Sequence, residues 1–442
     1  MVDPLVFVLR FLFDFWWILM PTMLFQIVWE KFKDGQRADY RKKMQWGFME
    51  IKFPDGITRN PRAMEEVFNS LHSIAPDTTT DLTWINLNIK GFVPRSYTFF
   101  IIANDHKIRF FIRYPLALKE FVKTRFYAQY PEVQFLDSED PIGFFPFNTP
   151  NSLFDCEIFD VRLKKEDSYP IKTYSVLEYL PKEQQIDPIT TFSEASWQVS
   201  DKEWIIFQIF VLPITPDNEE HGKKWVERGQ KLVNKLIGKK EAKEPSAWEE
   251  VWEFTVNLLL ALFRDPVWKS KSQGESSKEE FNYMRLTPGE RKVLEAIQNK
   301  IGKLGFLCNF RITYIAKTDV FKEKVSATTS LISSTLRNFS TEDLNGFLLL
   351  PLTMPLFKAS DLRIFNMKRK EFAFFKIYRL PVLPLVYVSW LKSTGGDKPF
   401  VLNSEELATL FHPPMGFVPT SGIERLPVRE TPPSSNIPLV EL

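Results

Sequence analysis

The chain reads as an α+β protein with three parts: an N-terminal transmembrane helix, two or three α/β sandwich modules, and an extended proline-rich C-terminal tail. A duplicated ferredoxin-like arrangement is one option for the modules. Three observations carry that expectation: an apolar stretch over 5–29 that ends in a basic run, helix-period and strand-period segments alternating from 46 to 402, and aperiodic, proline-dense sequence after Leu410. The expected organisation is an anchor over 1–30, a basic juxtamembrane segment over 31–45 and a first α+β region of two modules over 46–240. An apolar helix with a flexible linker follows over 241–283, then a second α+β region over 284–402, and the NSEELATLFHPP segment with its tail over 403–442.

The first segment, LVFVLRFLFDFWWILMPTMLFQIVW, would span about 37 Å as a helix, enough for a hydrocarbon core of about 30 Å with some tilt. Its uninterrupted part, Phe15 to Trp29, is too short alone, so spanning brings Arg10 and Asp14 into or near the outer leaflet. Their i,i+4 spacing lets them pair, and Arg10 can snorkel. Pro21 is a kink point, and Trp16, Trp17 and Trp29 suit interfacial depth. Lys31, Lys33, Arg37, Arg41, Lys42 and Lys43 come next, which by the positive-inside rule gives a single-pass protein of the inner cell membrane with its bulk in the cytoplasm. A cleaved signal is the main rival, but the bases lie after the apolar run and no small-x-small site follows. A monotopic interfacial helix and a buried core helix are the other readings.

In the body, FMEIKFP (48–54) alternates as a strand, and Asn60-Pro61 opens a helix with Met64, Val67, Phe68 and Leu71 on one face. TWINLNI (83–89) is counted with the strands, and YTFFIIA and KIRFFIRY flank the turn at Asn104-Asp105-His106 as a hairpin. Pro115 opens a helix carrying Leu118, Phe121, Val122 and Phe126, ended by Pro131 before EVQFL. A second unit starts at Asp187-Pro188, with the strand EWIIFQIFVLP (203–213) and a long basic helix near 219–239. In a third, Thr287-Pro288-Gly289-Glu290 forms a capping box before the stripe Val293, Leu294, Ile297 and Ile301. NFRITYIA (309–316) and a helix over 320–337, capped by Asp319, complete it. The segment 244–280 begins apolar, with Trp248, Trp252 and Phe263, and ends as a polar linker; its apolar part packs on its own domain, on a membrane surface or on a partner.

Composition narrows the function classes. With 25% charged residues the remainder is too polar for further spans, and a net charge of +2 provides no global field for polyanions. Cys156 and Cys308 have no CxxC company and fit buried fillers in a reducing compartment, while 41 phenylalanines point to packed sheets or a sizeable partner surface. No GxxxxGK[ST], GxSxG, HExxH or GxGxxG occurs, and His72, His106, His221 and His412 have no second ligand at metal spacing. No catalytic residue, metal or cofactor is therefore expected.

One stretch mixes bases with aromatics: RIFNMKRKEFAFFKIYR, with Arg363, Lys368, Arg369, Lys370, Lys376 and Arg379 among Phe365, Phe372, Phe374, Phe375 and Tyr378. It is the candidate single-stranded-DNA contact; a half-buried strand pair with a basic outer face produces the same pattern.

Four stretches, MEIKFPDGITRNPRAMEEVFNSLHSI, FFIRYPLALKEFVKTRFYAQYPEVQF, LTPGERKVLEAIQNKIGKLGFLCNFRITYIA and FVLNSEELATLFHPP, carry a resemblance over most of 44–440. The chain resembles the membrane-anchored, non-ATPase domain that precedes, or is encoded beside, the P-loop ATPases of conjugation and type IV secretion. The resemblance implies an adaptor for a separately encoded ATPase, with Glu405, Glu406, Leu407, Phe411, His412 and Pro413 as the segment nearest the motor and the tail as its connector. The expected partners are the lipid membrane, that ATPase, DNA in transit and further copies of this chain. A membrane-associated single-stranded-DNA-binding protein and a membrane-bound enzyme are the alternatives.

Overall fold

The computed structural model describes residues 16–54, 60–76, 81, 83–146, 149–178, 189, 192, 198–215, 225–237, 286–351 and 399–414. Its strands are β1 (Trp46–Lys52), β2 (Tyr97–Asn104), β3 (Lys107–Pro115), β4 (Gln134–Ser138), β5 (Phe154–Leu163), β6 (Glu203–Pro213), β7 (Gly305–Lys317), β8 (Phe347–Pro351) and β9 (Phe400–Asn403). They form one sheet in the order β4-β1-β3-β2-β6-β7-β5-β8, with β9 beside the start of β7. Every pairing is antiparallel, so the α+β class expected from the sequence is the one observed.

The sheet is continuous across the expected regions. β2 pairs with β6 from Tyr97↔Val211 to Ala103↔Ile205, and β6 pairs with β7 from Glu203↔Ala316 to Pro213↔Phe306. Each four-strand half repeats one spatial order, the fourth strand beside the first, then the third, then the second: β4-β1-β3-β2 and β8-β5-β7-β6. β6 and β7 are buried on both faces, which is why EWIIFQIFVLP reads as an almost unbroken apolar run rather than an alternating one.

The helices are α1 (Trp16–Lys43), α2 (Arg62–Leu71), α3 (Trp84–Asn88), α4 (Lys119–Gln129), α5 (Ser175–Glu178), α6 (Trp225–Ile237), α7 (Pro288–Ile301), α8 (Thr318–Arg337) and α9 (Ser404–Leu410). One face of the sheet, with Phe99, Ile101, Phe110, Ile112, Phe310 and Ile312, is covered by α2, α4, α8 and α9 through Val67, Phe68, Val122, Phe126, Ile332 and Leu407. On the other face Ile142 and Phe145 cover Phe100, Ile102, Phe111, Ile158 and Ile206, while Trp225 and Ile301 from α6 and α7 cover Phe210, Leu212 and Leu307. The hairpin turns on Asp105 and His106, both at positive φ (52° and 59°), the geometry of a two-residue primed turn that matches strand twist.

Two elements and one cap differ from the expectation: α8 starts at Thr318 after Lys317, so Asp319 lies in its first turn and does not cap it. TWINLNI is a short helix rather than a strand, because the Thr83 hydroxyl accepts the Asn86 N–H at 3.4 Å and starts a helical turn. The sequence reading also passed over β5, FDCEIFDVRL. Its alternation is broken by Asp160, whose partner Arg311 lies 151 residues away.

α1 is one 28-residue helix that stops two residues before β1. It is seated on the body by the turn after α3. Gly91 has φ +65°, and a Cβ there would lie 2.4 Å from the Gln36 carbonyl carbon, so only glycine allows this approach. The Tyr40 and Phe92 rings meet edge to face at 5.7 Å. Among the described residues no helix is long and apolar enough to cross a membrane.

Candidate functional site

The first half of α1 is apolar, and its described side chains are uncovered. Trp17 is 61% exposed and Phe25 66%, with Met20, Met23, Leu24, Ile27, Val28 and Phe32 also exposed. At 100° per residue these positions cover an arc of about 200°, wider than the roughly 100° stripe of a helix that packs on a core. Pro21 lies inside the helix, exposed, and Trp29 is half-buried between the rings of Phe25 (6.2 Å) and Phe32 (5.7 Å). Trp16 begins the helix; Arg10 and Asp14 lie outside the described residues. The candidate DNA contact, Arg363, Lys368, Arg369, Lys370, Lys376 and Arg379, lies outside them too, as do the linker 241–283 and the tail from 415.

The NSEELATLFHPP segment is fully described, and its side chains are directed into the body. Asn403 caps α9 through a capping box with Glu406, and Leu407, Phe411, His412 and Pro413 are buried. Phe411 sits 4.8 Å from the Phe99 ring and 5.6 Å from that of Phe110. His412 holds the Ala408 carbonyl at 2.8 Å. These residues close the core between the two halves of the sheet.

Around α9 the charges gather into a network. Glu406 and Lys300, both with fully buried side chains, pair at 3.0 Å, and the carboxylate also accepts the N–H groups of Ile171 and Asn403 at 2.9 Å each. Burial pushes the Glu406 carboxyl above its ordinary range, against the pull of Lys300 and those N–H donors. Lys303, a third exposed, bridges Glu65 of α2 at 2.7 Å and Glu405 at 2.8 Å, while Tyr174 donates its hydroxyl to Glu65. Burial works against the charge on both Lys303 and Glu405. Their mutual pairing, with Glu65 on the lysine and Ser175 and Thr173 on the carboxylate, outweighs it, holding the lysine above and the carboxylate below the ordinary values. Chemically this is a lock: α2, α9, the end of α7 with the turn after it, and the 169–175 segment meet on interlocked ion pairs and hydrogen bonds. Sequence reading marked Glu405 and Glu406 but missed Glu65, Lys300 and Lys303. Their ion-pair partners lie 102 to 238 residues away.

A second network sits at the far end of β6. Glu203 accepts from Tyr314 (2.9 Å), Lys324 (2.8 Å) and the Ser200 hydroxyl (2.6 Å). Burial, the largest single influence, would raise its pKa, yet the donors together hold it below the ordinary carboxylate value. A depressed folded-state pKa means that the unfolded chain binds the proton more readily, so this stabilisation is complete above about pH 4.3 and is lost as pH falls through the folded value. The urea midpoint should therefore fall below about pH 4.3. Glu203→Gln should lower the neutral-pH midpoint and make the acid fall shallower. Identical acid profiles for the two chains would refute this assignment. Glu406, with its raised pKa, acts in the opposite sense, so the difference between the chains is the quantity to read.

Cys156 and Cys308 are fully buried and not joined in a disulfide, and burial pushes Cys308 well above an ordinary thiol pKa. Among the described residues no three His, Cys, Asp or Glu side chains gather as a metal site. No protein-family model matches the chain, and no curated protein is significantly similar to it.

Proposed function

We propose that the chain is a membrane-tethered, non-catalytic component of a type IV secretion or conjugation-like apparatus, its cytoplasmic body positioning a separate P-loop ATPase during transfer of DNA or protein. The observation that carries the tether is α1, whose apolar half exposes a wide apolar arc and whose basic half is seated on the body by Gly91 and Tyr40. An uncovered apolar surface of this width is costly in water and favourable in lipid. The body is proposed to be two ferredoxin-like βαββαβ units joined through β2 and β6, a reading supported by the strand order that the two halves share. The ATPase partner rests on the sequence resemblance and on the missing phosphate-binding motif. Because 403–414 is buried in the core, the part proposed to hold the motor is the tail beyond Pro414.

The test is recovery of the tagged full chain in mild detergent from its own host, beside a chain ending at Pro414. Mass spectrometry should find a P-loop ATPase with the first and not with the second, and both should sediment with membranes. Recovery of the full chain with lipid alone would overturn the adaptor reading, and a freely soluble full chain would overturn the tether.

A further inference from the structure

We infer that α3 and the turn behind it form a second, interfacial contact with an anionic lipid surface beside the tether. This rests on the tether reading and deepens it. Ile85 is 55% exposed and Ile89 is 44% exposed, and their i,i+4 spacing places both on one side of the helix. They sit beside a turn that is held against α1. Gly91 abuts the backbone of Gln36, and Phe92 meets Tyr40.

Position along α1 sets their depth. Phe32 is the last exposed large apolar side chain of α1, and Gln36 lies four residues on, about 6 Å of helical rise. With Phe32 at the acyl boundary, the turn at Gly91 falls at headgroup level, where an amphipathic surface is expected to lie in the plane of the interface. The charge agrees. Lys90 of the turn is exposed, as is Lys43 further along α1, while Lys42 is exposed but paired with Asp39 at 3.3 Å; lysines near an anionic leaflet are attracted to it. Two apolar side chains with a rim of lysines, continuous with an apolar helix, fit phospholipid with net negative headgroups. The consequence is mechanical: a body held at two points keeps a fixed tilt relative to the membrane, whereas one helix alone permits swivelling.

The native thiols are buried, so single nitroxide labels can be placed in the full chain by Ile85→Cys, Val28→Cys and Leu153→Cys. The chain is reconstituted in nanodiscs of zwitterionic lipid and of lipid containing phosphatidylglycerol, and accessibility to oxygen and to a water-soluble nickel chelate is compared. The inference predicts that the oxygen-to-nickel ratio at 85 rises several-fold in the anionic discs. Position 28 should be lipid-like in both, and position 153, which is 66% exposed, aqueous in both. Lys90→Glu with Lys43→Glu should return position 85 to its zwitterionic value. A label at 85 that stays aqueous in anionic discs while 28 is lipid-like overturns this contact and leaves the tether standing. An aqueous label at 28 overturns the tether, and the contact with it. A lipid-like label at 85 in both discs overturns the assignment to anionic headgroups.

Discussion

Replacing Glu406 by alanine should destabilise the folded chain by about 3–5 kcal/mol, because it leaves the Lys300 ammonium buried with no counter-charge. The same substitution strips the acceptor from the Ile171 and Asn403 N–H groups, each of which then costs about 1–3 kcal/mol if water cannot reach it. Set against a typical stability of about 5–15 kcal/mol, that is enough to unfold a large share of the chain. Because Glu406 also completes the capping box of α9, the loss should spread to Phe411 and its contacts with Phe99 and Phe110. Pairing Glu406→Gln with Lys300→Met separates charge from architecture: the amide oxygen keeps an acceptor near the two N–H groups, and no buried ion remains. Urea unfolding of the full chain, followed by tryptophan fluorescence, should place this double variant well above Glu406→Ala. A single variant within about 1 kcal/mol of the parent would mean that water enters the site and that the network is ornamental.

The contrast between what was legible and what was hidden follows the range of the interactions. β1, the β2–β3 hairpin, α2, β6 and the capped start of α7 were readable because their signals are local: apolar period, a turn dipeptide, a proline at the helix start, a Thr–Glu capping box. TWINLNI misled because its apolar positions suit a strand, and only the Thr83 cap decides for a helix. The single continuous sheet was not readable, since edge-to-edge joining of β2 to β6 leaves no trace in either strand beyond heavy burial.

The site divides along the same line. An apolar N-terminal helix with a basic continuation is a compositional signal, and α1 carries it from Trp16 onward. NSEELATLFHPP was conspicuous in the sequence for its resemblance, yet what it does in the fold depends on Lys300, Lys303 and Glu65, residues that look like ordinary solvated helix charges. A charge is identifiable as buried only when the partner is known, and in an antiparallel sheet assembled from distant segments the partner is rarely nearby in sequence.

Asp160 makes the same point as an expected result. It pairs with Arg311 at 2.9 Å across β5 and β7, with side-chain exposures of 1% and 4%. Asp160→Ala should cost about 3–5 kcal/mol, since the guanidinium remains buried against the Phe210 ring without its carboxylate. The geometry gives a sharper expectation for the pair. Arg311 is flanked in register by Gln208, which is 1% exposed and whose side-chain amide atoms form no hydrogen bond among the described residues. Apolar side chains of similar volume, Asp160→Leu with Arg311→Met, should then recover most of the loss, because the desolvation of two ions is removed along with their attraction. A double-mutant cycle in urea gives the coupling energy directly. If the double variant is as unstable as Asp160→Ala, the pair is held by more than its own Coulomb attraction, and Arg311 is positioning the neighbouring strands through contacts that a thioether cannot replace.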